Sequence, residues 1–309
     1  MKKFTFNKQF MVLMFLLLNC FASYAADENL ITKQITLKLT EAGTLPNKIG
    51  SSKKDLITNL KIIGEINGTD LRFIREMAGR DAEGNSTSGN LSVLDLSEAR
   101  IVKGGDYYYS YYRSYRKKDC TTSNDIIGEH AFSYCSSLTS VNIPSRVTVI
   151  EKEAFEGCSS LTSVNIPSRV TWIGDEAFNF CSSLTSVNIP SSVTEIGKEA
   201  FYDCNSLISI NIPSSVTKIG EYAFSGCSSL TNINIPSSVT KIKDAVFRGC
   251  SSLTSVNIPS SVTEIGKEAF SDCSSLTSIN IPSSVTEIKD AVFYGCICGR
   301  CPYYRYWCV

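Results

Sequence analysis

Histidine is almost absent from this sequence, which contains only His130 among 309 residues. Catalysis by a serine or cysteine nucleophile needs a histidine beside that nucleophile, and the sequence gives no reason to expect one there. The sequence also lacks a glycine-rich phosphate loop, a paired metal-binding motif and a dinucleotide fingerprint. We therefore predict that the protein is not an enzyme and needs no cofactor, and we assign His130 no catalytic or metal-binding role.

An excess of charge is also missing, because 30 lysines and arginines balance 30 aspartates and glutamates. Binding to nucleic acid requires a basic face, so we expect no nucleic-acid partner. After the first 25 residues, no apolar run is long enough to cross a bilayer. We therefore predict no transmembrane span.

The first 25 residues have the pattern of an export signal. Lys2 and Lys3 give a basic start, the run from Phe10 to Phe21 is apolar, and small residues end at Ala25. We predict a signal peptide over residues 1–25.

Export places the rest of the chain outside the cell or on its surface, and we favour a Gram-negative outer surface. Lipid attachment at Cys20 is a less favoured route, because Asn19 is a poor residue before a lipoprotein cysteine.

What the sequence does contain is a period of 23 residues. A cysteine marks each period, and a phenylalanine stands three positions before each cysteine. The cysteines are Cys135, Cys158, Cys181, Cys204, Cys227, Cys250, Cys273 and Cys296. A fixed period of this length is typical of a stacked repeat.

One period shows how a coil folds. Leu161, Val164 and Ile166 have the spacing of a leucine-rich repeat strand. Because strand side chains alternate, Val164 and Ile166 face inward while Ser163 and Asn165 face outward.

The remainder of the period closes the coil. Pro167 ends the strand, since proline lacks a backbone donor. Residues 170–173 then predict a second short strand on the opposite wall, and residues 176–181 a short helical turn.

The predicted fold is a β-rich (α+β) solenoid, a right-handed leucine-rich repeat array with parallel strands, short helical turns and an N-terminal cap. We place the cap at residues 26–90, with a helix over 69–77. The array follows over residues 91–296, with an insertion at about 101–123. Residues 297–309 form a Cys/Tyr-rich tail.

The repeat Ala-Phe-x-x-Cys-x-Ser-Leu-Thr-Ser-Val-Asn-Ile-Pro-Ser-x-Val-Thr-x-Ile-Gly resembles the signature of BspA-like leucine-rich repeat proteins over residues 124–296. The block from Asn67 to Met77 is similar to the N-terminal part of members from Bacteroides-type bacteria. The resemblance implies a surface protein that adheres to host matrix proteins, other bacteria or epithelial cells. The family has no shared catalytic residues to carry over.

The insertion is rich in tyrosine and arginine, which suit protein recognition from a projecting loop. The candidate partner-binding residues here are Tyr107, Tyr108, Tyr109, Tyr111, Tyr112, Arg113, Tyr115 and Arg116. The alternative is a loop that folds back on the first coils.

The outward strand face carries rows of serine and asparagine. We include four of the asparagines as candidate contacts to a partner protein or a glycan: Asn142, Asn165, Asn188 and Asn211. The alternative is a solubilising surface, because aromatic or arginine anchors are missing from this face.

The repeat cysteines are expected to act as small buried apolar residues. Matching positions of parallel coils lie about 4.8 Å apart, farther than the Cβ atoms of a disulfide. For Cys120 and the tail cysteines, Cys298, Cys301 and Cys308, disulfides, unpaired thiols and a metal site stay open.

We therefore predict a secreted or cell-surface protein that mediates protein–protein adhesion without catalysis. Its partners would be host extracellular-matrix proteins or bacterial surface proteins. The alternatives are a structural spacer of the cell envelope and a glycan-binding module.

Overall fold

A computed structural model describes residues 30–296 as a β-solenoid of about 11 turns, with parallel strands and few helices. The predicted leucine-rich repeat solenoid is confirmed. The expected signal peptide with Cys20 and the cysteines of the expected tail lie outside the described residues.

The helices are α1 (Leu45–Ile49) and α2 (Gly68–Met77). The strands before the repeats are β1 (Ile35–Leu39), β2 (Asn59–Ile66), β3 (Val93–Ile101), β4 (Gly104–Arg113) and β5 (Arg116–Thr122). Those of the repeats are β6 (Ile126–Ile127), β7 (Ser140–Asn142), β8 (Val149–Ile150), β9 (Ser163–Asn165), β10 (Trp172–Ile173), β11 (Ser186–Asn188), β12 (Glu195–Ile196), β13 (Ser209–Asn211), β14 (Lys218–Ile219), β15 (Asn232–Asn234), β16 (Lys241–Ile242), β17 (Ser255–Asn257), β18 (Glu264–Ile265) and β19 (Glu287–Ile288).

The front wall is a parallel sheet in the order β1-β2-β3-β7-β9, followed by the pairs β11–β13 and β15–β17. Val164 is buried while Ser163 and Asn165 are exposed, as the alternation predicts. Strands β1 and β2 belong to this sheet too, so the segment expected as a cap adds strands to the front wall.

The back wall consists of the two-residue strands, in the orders β6-β8-β10-β12-β14 and β16-β18-β19. Each residue pairs with the residue 23 positions away, for example Trp172 with Glu195. The second strand predicted for each period is therefore confirmed.

Each coil ends in a closing turn, the segment between its back-wall strand and its next front-wall strand. Short helical turns were expected here, but the structure shows reverse turns. Glu176 and Phe180 have φ values of 56° and 57°, which a right-handed helix excludes. The N–H groups of Glu176, Phe178 and Phe180 donate to the next coil at 2.7–2.9 Å, so they do not form helical bonds within their own coil.

The interior holds the repeated phenylalanines and cysteines. Phe155 and Phe178 stack with ring centroids 5.1 Å apart, and the stack continues from Phe132 to Phe293. The cysteine thiols lie beside this stack, where the Sγ of Cys181 donates to the carbonyl of Phe155 at 3.2 Å.

The cysteines of the repeats are buried and unpaired, as predicted. Burial raises the pKa of Cys250 to about 12. At neutral pH this thiol is therefore protonated and unreactive.

Helix α2 covers the N-terminal end of the repeats, and its bounds confirm the predicted helix. Asn67 and Asp70 form a capping box, in which the Asn67 side chain accepts from the N–H of Thr69 at 3.0 Å. Asp70 in turn accepts from the N–H of Asn67 at 3.0 Å. This fixes where the helix begins, and with it the position of Arg75.

Arg75 and Tyr108 supply hydrogen bonds that a preceding coil would otherwise supply. In later coils, three carbonyls of each closing turn accept N–H groups from the coil before. The first closing turn lies between β6 and β7. There the hydroxyl of Tyr108 donates to Glu129 O at 2.8 Å. The guanidinium of Arg75 donates to Ala131 O and Ser133 O at 3.2 and 3.4 Å, and to His130 O at 2.7 Å. The side chains of Arg75 and Tyr108 therefore take the place of a preceding closing turn.

Candidate functional site

The segment expected as an insertion forms a β-hairpin. Strands β4 and β5 pair in antiparallel fashion, and Arg113 stands opposite Arg116 at the end of the ladder. Ser114 and Tyr115 between them have φ values of 50° and 65°. Two consecutive residues with positive φ are typical of the tight turn that matches strand twist, so this turn defines the hairpin tip.

Hydrogen bonds fix the base of the hairpin to the N-terminal part of the solenoid. Tyr108 is 1% exposed and donates to Glu129 O. The N–H of Ser110 donates to Ala82 O at 2.7 Å. Tyr107 donates to Glu83 Oε1 at 3.0 Å, under the guanidinium of Arg72.

Two further tyrosines pack on the only histidine. The rings of Tyr109 and Tyr111 lie 4.9 and 4.7 Å from that of His130. The guanidinium of Arg75 lies over the ring of Tyr109, 4.6 Å from its centroid. Tyr111 also donates to Glu129 Oε1 at 2.9 Å. Four of the six candidate tyrosines are therefore part of the scaffold.

An ion pair also joins the hairpin to the first closing turn. Lys118 of β5 binds the carboxylate of Glu129. Burial alone would raise the pKa of Glu129, but hydrogen bonds from Lys118 and Tyr111 hold it below its ordinary value. Glu129 is thus ionised at neutral pH and holds both hairpin strands to the first closing turn.

The hairpin tip is exposed. The exposed fractions are 76% for Tyr112 and 102% for Tyr115. Arg113 and Arg116, which directly follow these two tyrosines in the sequence, are exposed too. Of the eight candidates in the insertion, these four are exposed, whereas the other four are buried or half-buried.

The candidate asparagines lie in rows on the front wall. Asn165 pairs in register with Asn142, and Asn211 with Asn188. Asn142 is half-buried and the other three are exposed. Within the described chain their carboxamides have no hydrogen-bond partner, so their donors and acceptors face solvent.

A cleft of about 410 Å³ lies between the hairpin and the first closing turns. Its lining residues are Tyr109, Tyr111, Arg113, Glu129, His130, Tyr134, Lys152, Glu153 and Glu156. His130, Glu153 and Glu156 each place a ligand atom within 4.8 Å of the others. Sequence reasoning did not group these residues, although His130 and Glu153 share a register position and Glu156 follows three residues later.

Two of the three carboxylates that line this cleft, those of Glu153 and Glu156, differ in their environment. Burial raises the pKa of Glu156, and the neighbouring charge of Glu153 adds to this rise. Burial would also raise the pKa of Glu153, but the adjacent side chains of His130 and Lys152 lower it below its ordinary value.

Comparison with protein families identifies the repeats. The model of the BspA type leucine rich repeat region matches residues 103–230 and 173–299, in 6 copies. No protein with a curated description matches the chain.

Solved structures of bacterial leucine-rich repeat proteins are similar. One from Eubacterium ventriosum is 20% identical, has a TM-score of 0.52 and covers 90% of this chain and 93% of its own, which supports the fold. The leucine rich repeat protein of T. pallidum is 34% identical, with a TM-score of 0.46, over 48% of this chain and 69% of its own. A leucine rich cell surface protein from Faecalibacterium prausnitzii is 30% identical, with a TM-score of 0.33, over 55% and 68%.

Neither helix of the described residues has the length and apolar content needed to cross a bilayer.

Proposed function

The chain belongs to the BspA-type leucine-rich repeat family, and from this premise we propose that it is a surface-associated adhesion protein. It would bind a partner protein through the hairpin tip, without catalysis. The partner would be a host extracellular-matrix protein or a protein on a bacterial surface. The observation that carries the proposal is a rigid hairpin base beneath an exposed tip of two tyrosines and two arginines.

The rigidity of the base favours binding at the tip. Tyr107, Tyr108, Tyr109 and Tyr111 are held by hydrogen bonds or ring contacts to the first coils. A contact loop that is ordered before it meets its partner loses less entropy on binding. The tip therefore differs from an unstructured loop of the same composition.

The chemistry of the tip also suits protein recognition. Tyrosine and arginine are enriched among residues that dominate binding energy at protein interfaces. Tyr112 and Tyr115 are far more exposed than the other tyrosines of the insertion. Arg113 and Arg116 lie side by side and can bind carboxylates of a partner by paired hydrogen bonds.

The front wall supports a second candidate function, glycan binding. Its exposed asparagines leave amide donors and acceptors free in register on neighbouring coils. A polysaccharide could bind along such a row. The row lacks an aromatic anchor, and for this reason we place protein binding at the tip first.

The experiment compares the full chain with a tip variant that carries Tyr112→Ser, Arg113→Ser, Tyr115→Asn and Arg116→Ser. Asparagine replaces Tyr115 because it tolerates positive φ. Binding is measured on a panel of purified extracellular-matrix proteins, on whole bacterial cells and on a glycan array. We expect saturable protein binding that weakens by about 2 kcal/mol or more in the tip variant, the loss usual for central tyrosine and arginine contacts.

A matched control removes an exposed tyrosine and an exposed arginine elsewhere, by Tyr294→Ser and Arg146→Ser. Their side chains are solvent-accessible and lie outside the hairpin. Equal losses in both variants would contradict the tip as the contact site. Glycan binding that survives in the tip variant but is lost on Asn165→Ala and Asn188→Ala would replace the proposal with the second candidate.

A further inference from the structure

The cleft beneath the hairpin brings together three side chains that can bind a metal ion. His130 comes from the first closing turn, and Glu153 and Glu156 come from the next. One ligand atom from each lies within 4.8 Å of the other two. An imidazole and two carboxylates on adjacent coils are a donor set suited to a divalent transition metal.

His130 supplies an independent indication of a ligand. The residue is 7% exposed, and its Nδ1 is buried without a hydrogen-bond partner. Buried polar atoms in native proteins are nearly always paired. An unpaired imidazole nitrogen that faces two carboxylates therefore needs an explanation.

The position of Glu153 fits a shared ligand better than a direct hydrogen bond. Its Oε2 lies 2.9 Å from Nδ1 of His130, yet the geometry does not form a hydrogen bond. Two atoms that each bind one Zn²⁺ at about 2.0–2.2 Å lie roughly 3 Å apart, and neither points at the other. The observed separation of 2.9 Å matches this distance.

Neighbouring groups orient the two carboxylates. The other oxygen of Glu153, Oε1, binds Lys152 Nζ at 2.6 Å. Oε1 of Glu156 accepts from the hydroxyl of Tyr134 at 2.9 Å. Such contacts leave one oxygen of each carboxylate for an ion and fix its direction, as outer hydrogen bonds do in known metal sites.

We propose that His130, Glu153 and Glu156 bind one divalent transition-metal ion, with Zn²⁺ as the best match. Three protein ligands and a water would complete a four-coordinate site. Calcium and magnesium fit less well, because they prefer more numerous ligands that are all oxygen. The ion would join the first two closing turns directly below Tyr109 and Tyr111.

The test uses the full chain with Cys298, Cys301 and Cys308 changed to serine, because tail thiols could bind zinc themselves. The protein is freed of metal with a chelator and titrated with Zn²⁺ by calorimetry. We expect one equivalent to bind and the melting temperature to rise. His130→Asn suits the positive φ of this position, and Glu156→Gln keeps the shape of the side chain. Each should weaken Zn²⁺ binding by about ten-fold or more.

Glu199→Gln is the matched control, since Glu199 occupies the register position of Glu153 two coils further on. It should leave the affinity unchanged. Circular dichroism verifies the fold of each variant. X-ray absorption of the zinc-loaded protein that carries only the three serine substitutions in the tail should show nitrogen and oxygen ligands only. The proposal is overturned if Zn²⁺ does not bind, if binding is equal in all variants, or if sulfur ligands appear.

Discussion

At the residue scale, Arg75 supplies side-chain hydrogen bonds to three backbone carbonyls of the first closing turn, at the N-terminal end of the repeats. It is fully buried, and among residues 30–296 it forms no ion pair with a carboxylate. Its guanidinium instead binds backbone carbonyls of the first closing turn and lies over the ring of Tyr109. A planar group with five donors can satisfy several carbonyls at once, which a lysine cannot do in the same geometry.

Replacement of Arg75 by methionine should destabilise the protein strongly. Methionine preserves much of the side-chain volume but leaves buried carbonyls unsatisfied, at about 1–3 kcal/mol for each. We expect a loss of about 2–5 kcal/mol in the free energy of unfolding, measured by urea titration with circular dichroism. Arg146→Met, at a side chain 57% exposed, should change stability by about 0.5 kcal/mol or less. Similar losses in the two variants would contradict this role of Arg75.

The sequence indicates little about which individual side chains are buried. The helix that carries Arg75 was predictable from its pattern, but nothing in the pattern distinguishes a buried arginine from an exposed one. The tyrosines of the insertion present the same problem, because Tyr108 and Tyr112 look equivalent in sequence. Their burial depends on which hairpin face meets the first closing turn, and that contact is made only in the folded protein.

At the scale of the element, the back wall shows how two-residue strands are stabilised. Lys241 of β16 and Glu264 of β18 lie opposite each other and bind at 2.6 Å. Lys289 follows β19 and binds the same carboxylate at 2.7 Å. One glutamate therefore connects three successive coils at the wall where the strands are shortest.

The stabilising effect of Glu264 should depend on pH. Hydrogen bonds from Lys241 and then Lys289 lower its pKa from 4.5 to about 2. A folded-state pKa below the unfolded value contributes stability above the unfolded pKa, and this contribution is lost as the pH falls through the folded pKa. Glu264→Gln should therefore be slightly less stable than the unmodified protein at pH 7, and the difference should disappear between about pH 4.5 and pH 2.

Urea titration at several pH values measures this difference. Glu287→Gln removes a carboxylate at the same register position on the next coil, and no ion pair of Glu287 is seen in the described residues. At neutral pH, Glu287→Gln should lower the free energy of unfolding less than Glu264→Gln does. A constant difference between the Glu264 variant and the unmodified protein at all pH values would contradict the ion-pair explanation.

The elements themselves were largely predictable from the 23-residue period. The alternation of apolar and polar residues predicted the front-wall strands, and the second short run predicted the back wall. The repeated position of the cysteines predicted that they are small buried residues. The closing turns were mistaken for helical turns, since their spacing of apolar residues also suits a helical turn. The positive φ values at Glu176 and Phe180 exclude a helical turn. Neither glutamate nor phenylalanine favours such a conformation by itself.

At the scale of the whole molecule, register joins the coils. Within the repeats, front-wall and back-wall residues both pair with residues 23 positions away, such as Ser186 with Ser209 and Trp172 with Glu195. Stability in such an array is approximately a sum of contributions from each repeat and from each contact between neighbours. Within the repeats, a change of length should therefore be tolerated when it is a whole number of periods.

Deletion of one whole period tests this expectation. Removal of residues 205–227 joins Cys204 to Ser228 and keeps every later residue in register. We expect a folded protein of lower stability whose long dimension, measured by small-angle scattering, is shorter by about 4.8 Å. Removal of residues 205–226 puts the later coils out of register by one residue. This second deletion should greatly reduce cooperative unfolding in urea, and equal stability of the two proteins would contradict the expectation.

The closing turns also give the molecule an electrical polarity. The N–H groups at the register positions of Glu176, Phe178 and Phe180 donate from each closing turn towards its C-terminal neighbour. Peptide dipoles aligned in this way add along the stack, as they do in an α-helix. The carbonyl ends, and therefore the negative pole, lie at the first closing turn. Arg75 thus places a full positive charge at the negative pole of a column of dipoles that runs through every coil.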